Sequence, residues 1–251
     1  MDLDLKNRTF LVTAASRGLG FSVAKSLVGE GAEVIICGRN EDSLKDAVSS
    51  LGELAQYYVA NLSKKEDVQS LVKKIATNIL LLDGLFVNAG GPVPGTFSKL
   101  TDDDWKKAFD LTLMSAVWLT RETIPLLKMS DSSSILFSTS ISVKQPIDNL
   151  LLSNAIRPAV IGMMRTLATE LAPDYIRVNA ICPGYIQTER VDELLSASKS
   201  AEENITAKIP LKRIGKPDEF GPVAAFLMSP VSSYIHGSLL LVDGGLYQGM
   251  M

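Results

Sequence analysis

The stretch Thr9-Phe10-Leu11-Val12-Thr13-Ala14-Ala15-Ser16-Arg17-Gly18-Leu19-Gly20 decides the fold. Thr9 to Val12 is a short β-branched and apolar run that reads as a strand buried on both faces. It passes into a glycine-containing turn, and Phe21 to Val28 then follows a helical period. Gly18 and Gly20 let the backbone turn tightly and approach a bound group, while the free amides that open the helix favour an anion. The turn departs from G-x-G-x-x-G, because Ala14 stands at the first glycine position ahead of Gly18 and Gly20. Any strand-to-helix turn can use glycine, but the order strand, glycine turn, helix favours a dinucleotide pyrophosphate. Thr13, Ser16, Arg17, Gly18, Leu19 and Gly20 are the candidate residues around it.

The same alternation continues outward from this turn. Glu33-Val34-Ile35-Ile36-Cys37 predicts a second strand, followed by a helix from Glu41 to Leu51. Tyr57-Tyr58-Val59 predicts a third, followed by a helix with Val68, Leu71, Val72 and Ile75 on one face. Gly84-Leu85-Phe86-Val87 is a fourth, leading to a long helix from Asp103 to Lys128. Ile135-Leu136-Phe137 and Arg177-Val178-Asn179-Ala180-Ile181 are the fifth and sixth, with a helix from Pro158 to Leu171 between them, and Ser238 to Val242 closes the set. Continuous apolar strands separated by helices imply a parallel sheet covered on both faces. With no repeat, low-complexity tract or linker, residues 1–251 read as a single α/β domain, a doubly wound parallel sheet of about seven strands. The polar stretch from Thr188 to Ile209 (residues 188–209) lies past a strand's carboxyl end, where such sheets place ligands, and reads as a candidate substrate lid.

Composition narrows the functional classes. With 46% hydrophobic and 21% charged residues, the 251-residue chain has material for a substantial core. Its net charge of −3 supplies no electrostatic reason to bind nucleic acid or anionic membranes. Cys37 and Cys182 lie far apart in apolar runs and read as buried reduced thiols, and the only histidine, His236, excludes a multi-His metal site. No metal is expected. Met1 to Lys6 lacks the basic and apolar regions of a leader, and no run reaches the ~18 apolar residues of a membrane span. The expectation is a cytoplasmic protein.

Arg39 follows the second strand, where an NAD site would carry a carboxylate for the ribose 2′-hydroxyl. A guanidinium there offers a fork of donors to a 2′-phosphate, and Arg17 is placed to reach the same group. Both could instead be solvated surface charges. Two arginines at one predicted location favour NADP(H) over NAD(H).

Thr13 to Gly20, Val87-Asn88-Ala89-Gly90, Ile176 to Gly184 and the terminal Val242-Asp243-Gly244-Gly245 together resemble the short-chain dehydrogenase/reductase family. The likeness runs in register from about Leu5 to Gly245, is nearest to the 3-oxoacyl-acyl-carrier-protein reductase-like branch, and implies a Rossmann fold, NADPH use and a homodimer or homotetramer. It further implies that Asn88, Ala89 and Gly90 line the cofactor and that Asn61 stands where an adenine-contacting Asp is common. By the same resemblance Pro183, Gly184, Ile186 and Thr188 lie against the nicotinamide.

The resemblance fails at the catalytic tetrad, which in the family is Asn-Ser-Tyr-Lys. Ser140 matches the Ser, but Thr112 stands at the Asn position, Ser153 at the Tyr position and Arg157 at the Lys position. Arg157 remains a cation able to hold a ribose, although its planar fork is not an ammonium. Ser153 is shorter than Tyr and a far weaker acid. Loss of a positioned acid costs about 10²–10⁴ in rate, or roughly 3–5 kcal/mol of barrier. Pro158 suggests a helix that starts late or kinks, with Ser153 or Asn154 as its N-cap. Tyr185 is the first candidate substitute acid and Lys144 the second, and His236 reads as structural.

Three functions follow. The first is an NADP(H)-dependent oxidoreductase acting on an apolar carbonyl or alcohol with altered proton delivery. The second is a silent nucleotide-binding sensor, and the third a non-catalytic subunit of an oligomer. Ser140, retained beside the nicotinamide segment, favours the first.

Overall fold

The computed structural model describes residues 1–195 and 201–250. Seven strands form one parallel sheet in the order β3-β2-β1-β4-β5-β6-β7. They are β1 (Thr9–Val12), β2 (Glu33–Gly38), β3 (Ala55–Val59), β4 (Gly84–Val87), β5 (Ser133–Ser138), β6 (Ile176–Pro183) and β7 (Leu239–Val242). The helices are α1 (Gly18–Gly29), α2 (Glu41–Leu51), α3 (Lys65–Asn78), α4 (Asp102–Phe109), α5 (Ser115–Leu127), α6 (Leu151–Leu171), α7 (Glu189–Leu195), α8 (Ala201–Lys208) and α9 (Pro217–Met228).

Strand alternation builds two cores from one sheet. Phe10 and Val12 of β1 face the layer that holds Val23, Leu27 and Phe220 from α1 and α9. Leu11, between them, faces the opposite layer with Val68, Leu119 and Met164 from α3, α5 and α6. Because both faces are covered, the central strands are apolar throughout, as their sequences required. The chain reverses its direction of winding between β1 and β4, so the crevice beyond their carboxyl ends is where a ligand is expected.

One helix expectation is refined and one is corrected. The segment from Asp103 to Lys128 is a continuous helical run as expected, but a π turn over Asp110–Met114 lies inside it between α4 and α5. The helix through Pro158 begins well before it, at Leu151, with Leu150 as N-cap and no side-chain cap. Neither Ser153 nor Asn154 is therefore an N-cap. The Asn154 amide instead clasps the backbone ahead of the helix, accepting from Ile147 N at 3.0 Å and donating to Ile147 O at 2.9 Å. The chain entering α6 is also paired to the β4 side, through Gly95 N to Asn149 O at 2.8 Å. These tertiary bonds set the first turn upstream of Pro158, and the proline is carried inside the helix. The Thr188–Ile209 stretch holds α7 and α8, and residues 196–200 of the expected lid lie outside the described residues.

Candidate active site

The turn after β1 is held by its neighbour across the sheet. Thr13 Oγ1 donates to the carbonyl of Asn88 at 2.7 Å and accepts from Asn88 N at 2.8 Å, while Asn88 Nδ2 donates to Ala14 O at 3.2 Å. Ala14 adopts φ +48°, the conformation in which glycine is easier, and Gly18 adopts φ +62°. Gly20 is needed for close approach: a Cβ there would lie 2.5 Å from Ala14 O and 2.9 Å from Ala15 Cα. Leu19, beside it, packs against the core beneath α1. At the start of α1, Arg17 provides no side-chain cap and the first turn carries no acid, so its amides and positive end remain suited to an anion.

Ser16 brings this turn against the end of β2, where Arg39 follows. Ser16 Oγ lies 3.7 Å from the position a Gly38 Cβ would take, and Arg39 follows it, exposed. Arg17 forms an ion pair with Glu189. Asn61 uses its Oδ1 locally, accepting from Ser63 N at 3.2 Å and Ser63 Oγ at 2.7 Å. That turn occupies the acceptor with which the side chain would meet an adenine amino group. Burial pushes the Cys37 thiol up to about 12, so it is inert beneath the site.

The segment after β6 bends back over α1. Gly184 N donates to Val242 O at 3.0 Å, and a Cβ on Gly184 would strike Asp243 at 2.8 Å. Pro183 ends the strand, Ile186 is buried, and Gln187 N donates to Gly215 O at 2.8 Å. Thr188 then reaches within 3.5 Å of the Gly18 Cβ position. Tyr185 packs with Ile141, Ile209 and Leu246. Burial pushes its phenol above the ordinary tyrosine range, with Asp148 adding to the rise, which is the wrong direction for a proton donor. Lys144 Nζ lies 5.7 Å from the ring centre of Tyr247, over its face.

Ser140, beyond β5, adjoins a run of hydrogen bonds that starts at Ser142 and returns to the strand end. Its Oγ accepts from Ser142 N at 3.1 Å. Ser142 Oγ bonds Ser153 Oγ at 3.1 Å, and Ser153 Oγ accepts from Arg157 Nε at 3.1 Å. Arg157 Nη1 returns to the strand end, donating to Thr139 O at 2.8 Å and Ser138 O at 3.4 Å. Ser153 is 5% exposed and Ser142 4%, so both hydroxyls serve the run from inside the protein. Arg157 thus ties α6 to β5. Thr112 sits in the π turn, and its hydroxyl is buried without a hydrogen-bond partner. It lines a small cavity with Ala89, Ser138, Thr139 and Arg157, the kind of place where a buried water satisfies a polar group. Apart from its chain neighbours, nothing lies within 4 Å of a Cβ built on Gly90.

The structure therefore brings the glycine turn, Asn88, the 183–188 arm and Ser140 to the same end of the sheet. Sequence reading missed Ser142 and Glu189 and gave Asn154 the wrong role, because what these residues do comes from contacts rather than motifs. The sole histidine is structural: His236 Nδ1 accepts from Val178 N at 3.1 Å, and Nε2 faces Ala168 O. Among the described residues no cluster could hold a metal ion, and no helix is long and apolar enough to cross a membrane.

The family model described as enoyl-(acyl carrier protein) reductase matches residues 13–247. A dehydrogenase/reductase SDR family member 4 from Oryctolagus cuniculus is 33% identical over 248 residues, covering 96% of this chain and 94% of the relative. The L-sorbose reductase of Gluconobacter frateurii, crystallised with NADPH and L-sorbose, superposes with a TM-score of 0.94 at 28% identity and 100% coverage of both chains. An NADPH-bound short chain oxidoreductase from Pseudomonas aeruginosa PAO1, described as containing an atypical catalytic center, gives 0.89 at 28% identity, covering 97% of this chain and 99% of that one. With its glycine turn, its switch-point crevice and a family match over nearly its whole length, the chain is a member of the short-chain dehydrogenase/reductase family.

Proposed function

We propose that this protein is an NADP(H)-dependent oxidoreductase that reduces a carbonyl or oxidises an alcohol, with proton delivery that does not use the Tyr–Lys pair. The observation that carries the reading is Ser140. Its Oγ accepts a backbone N–H from Ser142, which orients the hydroxyl while its own proton stays available to donate to a carbonyl oxygen.

The residues present suit a dinucleotide. The uncapped N-terminus of α1, the tight approach at Gly20 and the exposed guanidinium of Arg39 supply what a pyrophosphate and a 2′-phosphate require. The nicotinamide supplies the hydride when bound. Asn88, Ala89, Pro183, Gly184, Ile186 and Thr188 form the wall against it, and Ser140 orients the substrate oxygen. Ser153 takes no part in proton transfer, because its hydroxyl is buried between Ser142 and Arg157. Arg157 positions the end of β5. Water reaching Ser140 delivers the proton, at the reduced rate that loss of a positioned acid entails, about 10²–10⁴-fold. That a structural relative is described as having an atypical catalytic center supports non-standard constellations on this fold. An assembly as a homodimer or homotetramer and a small apolar substrate complete the proposal.

The decisive experiment combines NADPH and NADH titrations with turnover over a panel of apolar aldehydes and ketones. Turnover that falls at least tenfold in Ser140→Ala supports the oxidoreductase. Tight NADPH binding without turnover replaces it with the nucleotide sensor, a reading favoured by the raised phenol of Tyr185 and the engaged Ser153.

A further inference from the structure

Helix α1 has no acidic residue in its own first turn, and the carboxylate that reaches its N-cap residue comes from Glu189, far along the chain. We propose that Glu189 is a determinant of nucleotide specificity: it holds Arg17 and competes with the 2′-phosphate of NADP(H) for that guanidinium. The inference rests on the reading of the glycine turn as the dinucleotide site.

The geometry makes the contact a built one. Gln187 N is bonded to Gly215 O at 2.8 Å and Gly215 N to Tyr185 O at 3.0 Å, which fixes the arm before Glu189. Thr188 rests against Gly18, and Asp192 N bonds Thr188 O at 2.9 Å, which starts α7 directly over the turn. The Glu189 carboxylate is thereby carried to Arg17. The turn that bears Arg17 approaches Gly38, and Arg39 follows Gly38, so the two arginines leave the backbone near the same end of the sheet. Arg39 has no ion pair among the described residues, whereas Arg17 is already paired with a carboxylate. A phosphate arriving between them meets one available fork and one that must exchange partners.

Arg17 and Glu189 are 69% and 61% exposed, so the pair is weak, and its removal changes affinity by a small factor. Calorimetric titration of the full-length protein with NADPH and NADH tests this in Glu189→Gln, Arg17→Met and the double variant. Asp103→Asn, which breaks another exposed pair with Lys107, controls for net charge. The expected result is NADPH binding tightened about two- to five-fold in Glu189→Gln, with NADH little changed. The gain should vanish in the Arg17→Met background, be absent in Asp103→Asn, and shrink as salt is raised. An unchanged NADPH-to-NADH affinity ratio in Glu189→Gln, with both nucleotides still binding, overturns the role of Glu189 and leaves the site standing. Binding of neither nucleotide to the wild type overturns both.

Discussion

Gly20 and Gly162 both lie within helices, and helix propensity alone would have alanine stabilise each by about 0.5–1 kcal/mol. Tertiary packing reverses the sign at one of them. A Cβ on Gly20 would sit 2.5 Å from Ala14 O, 2.9 Å from Ala15 Cα and 3.0 Å from Asn88 Nδ2. The two nearest atoms belong to backbone that carries the turn, so they cannot rotate away. Relief requires α1 to move off β1, which also strains the Asn88 Nδ2 bond to Ala14 O. Overpacking of this kind costs about 1–3 kcal/mol, so after subtracting the propensity gain Gly20→Ala should destabilise by up to about 2.5 kcal/mol, with about 1 kcal/mol at the midpoints. For a chain of this size the midpoint lowers Tm by about 2–4 °C. At Gly162 nothing lies within 4 Å of an added Cβ, and Gly162→Ala should raise stability by about 0.5–1 kcal/mol. Urea unfolding and calorimetry on both variants measure the difference, with circular dichroism to establish the fold. If Gly20→Ala is as stable as Gly162→Ala, the close approach of the turn to the helix is wrong, and the phosphate cradle with it.

Further outcomes follow from the same geometry. Ser153→Ala leaves Arg157 Nε and the Ser142 hydroxyl without their shared partner, and should cost about 1–3 kcal/mol in urea unfolding. On the proposed mechanism, in which Ser153 is not the proton donor, the fall in turnover should be far smaller than for Ser140→Ala. Glu219, bound by Arg213 at 2.6 and 2.7 Å and by Lys216 N at 2.8 Å, is held down to about 2 from an ordinary 4.5. Its stabilising contribution is therefore complete above pH 4.5 and lost as pH falls through about 2. Carboxyl NMR should show this titration, and Arg213→Met should return it toward 4.5. His236→Ala removes the acceptor for Val178 N and should destabilise by about 1–3 kcal/mol without altering nucleotide affinity.

Much of the site could be read along the chain because its parts are local. Gly18, Gly20 and the residues around them are constrained by a turn whose neighbours in sequence are its neighbours in space. Ser140 was legible through the family resemblance, which fixed its place just past the fifth strand. The run through Ser142 was not: a serine in a short helical turn looks the same whether it faces solvent or Ser153. The Arg17–Glu189 pair depends on the arm after β6 crossing the turn after β1, which neither segment encodes alone. Pro158 was read by its local preference, and the start of α6 was instead set by Asn154 on Ile147 and by Gly95 on Asn149.

By itself the sequence determined the layered architecture, because apolar runs of strand length alternating with helical periods build a sheet covered on both faces, and it placed the glycine turn, while the family resemblance placed Ser140 and the departures Thr112, Ser153 and Arg157. Only the tertiary structure decided what those departures touch. Whether a buried hydroxyl donates to a substrate or to a neighbour is settled by what lies within 3 Å or so of it, and for Ser153 those neighbours are Ser142 and Arg157. The same holds for the sign of a glycine substitution and for the partner of Arg17: each depends on atoms brought close by folding, and no property of the residue alone specifies them.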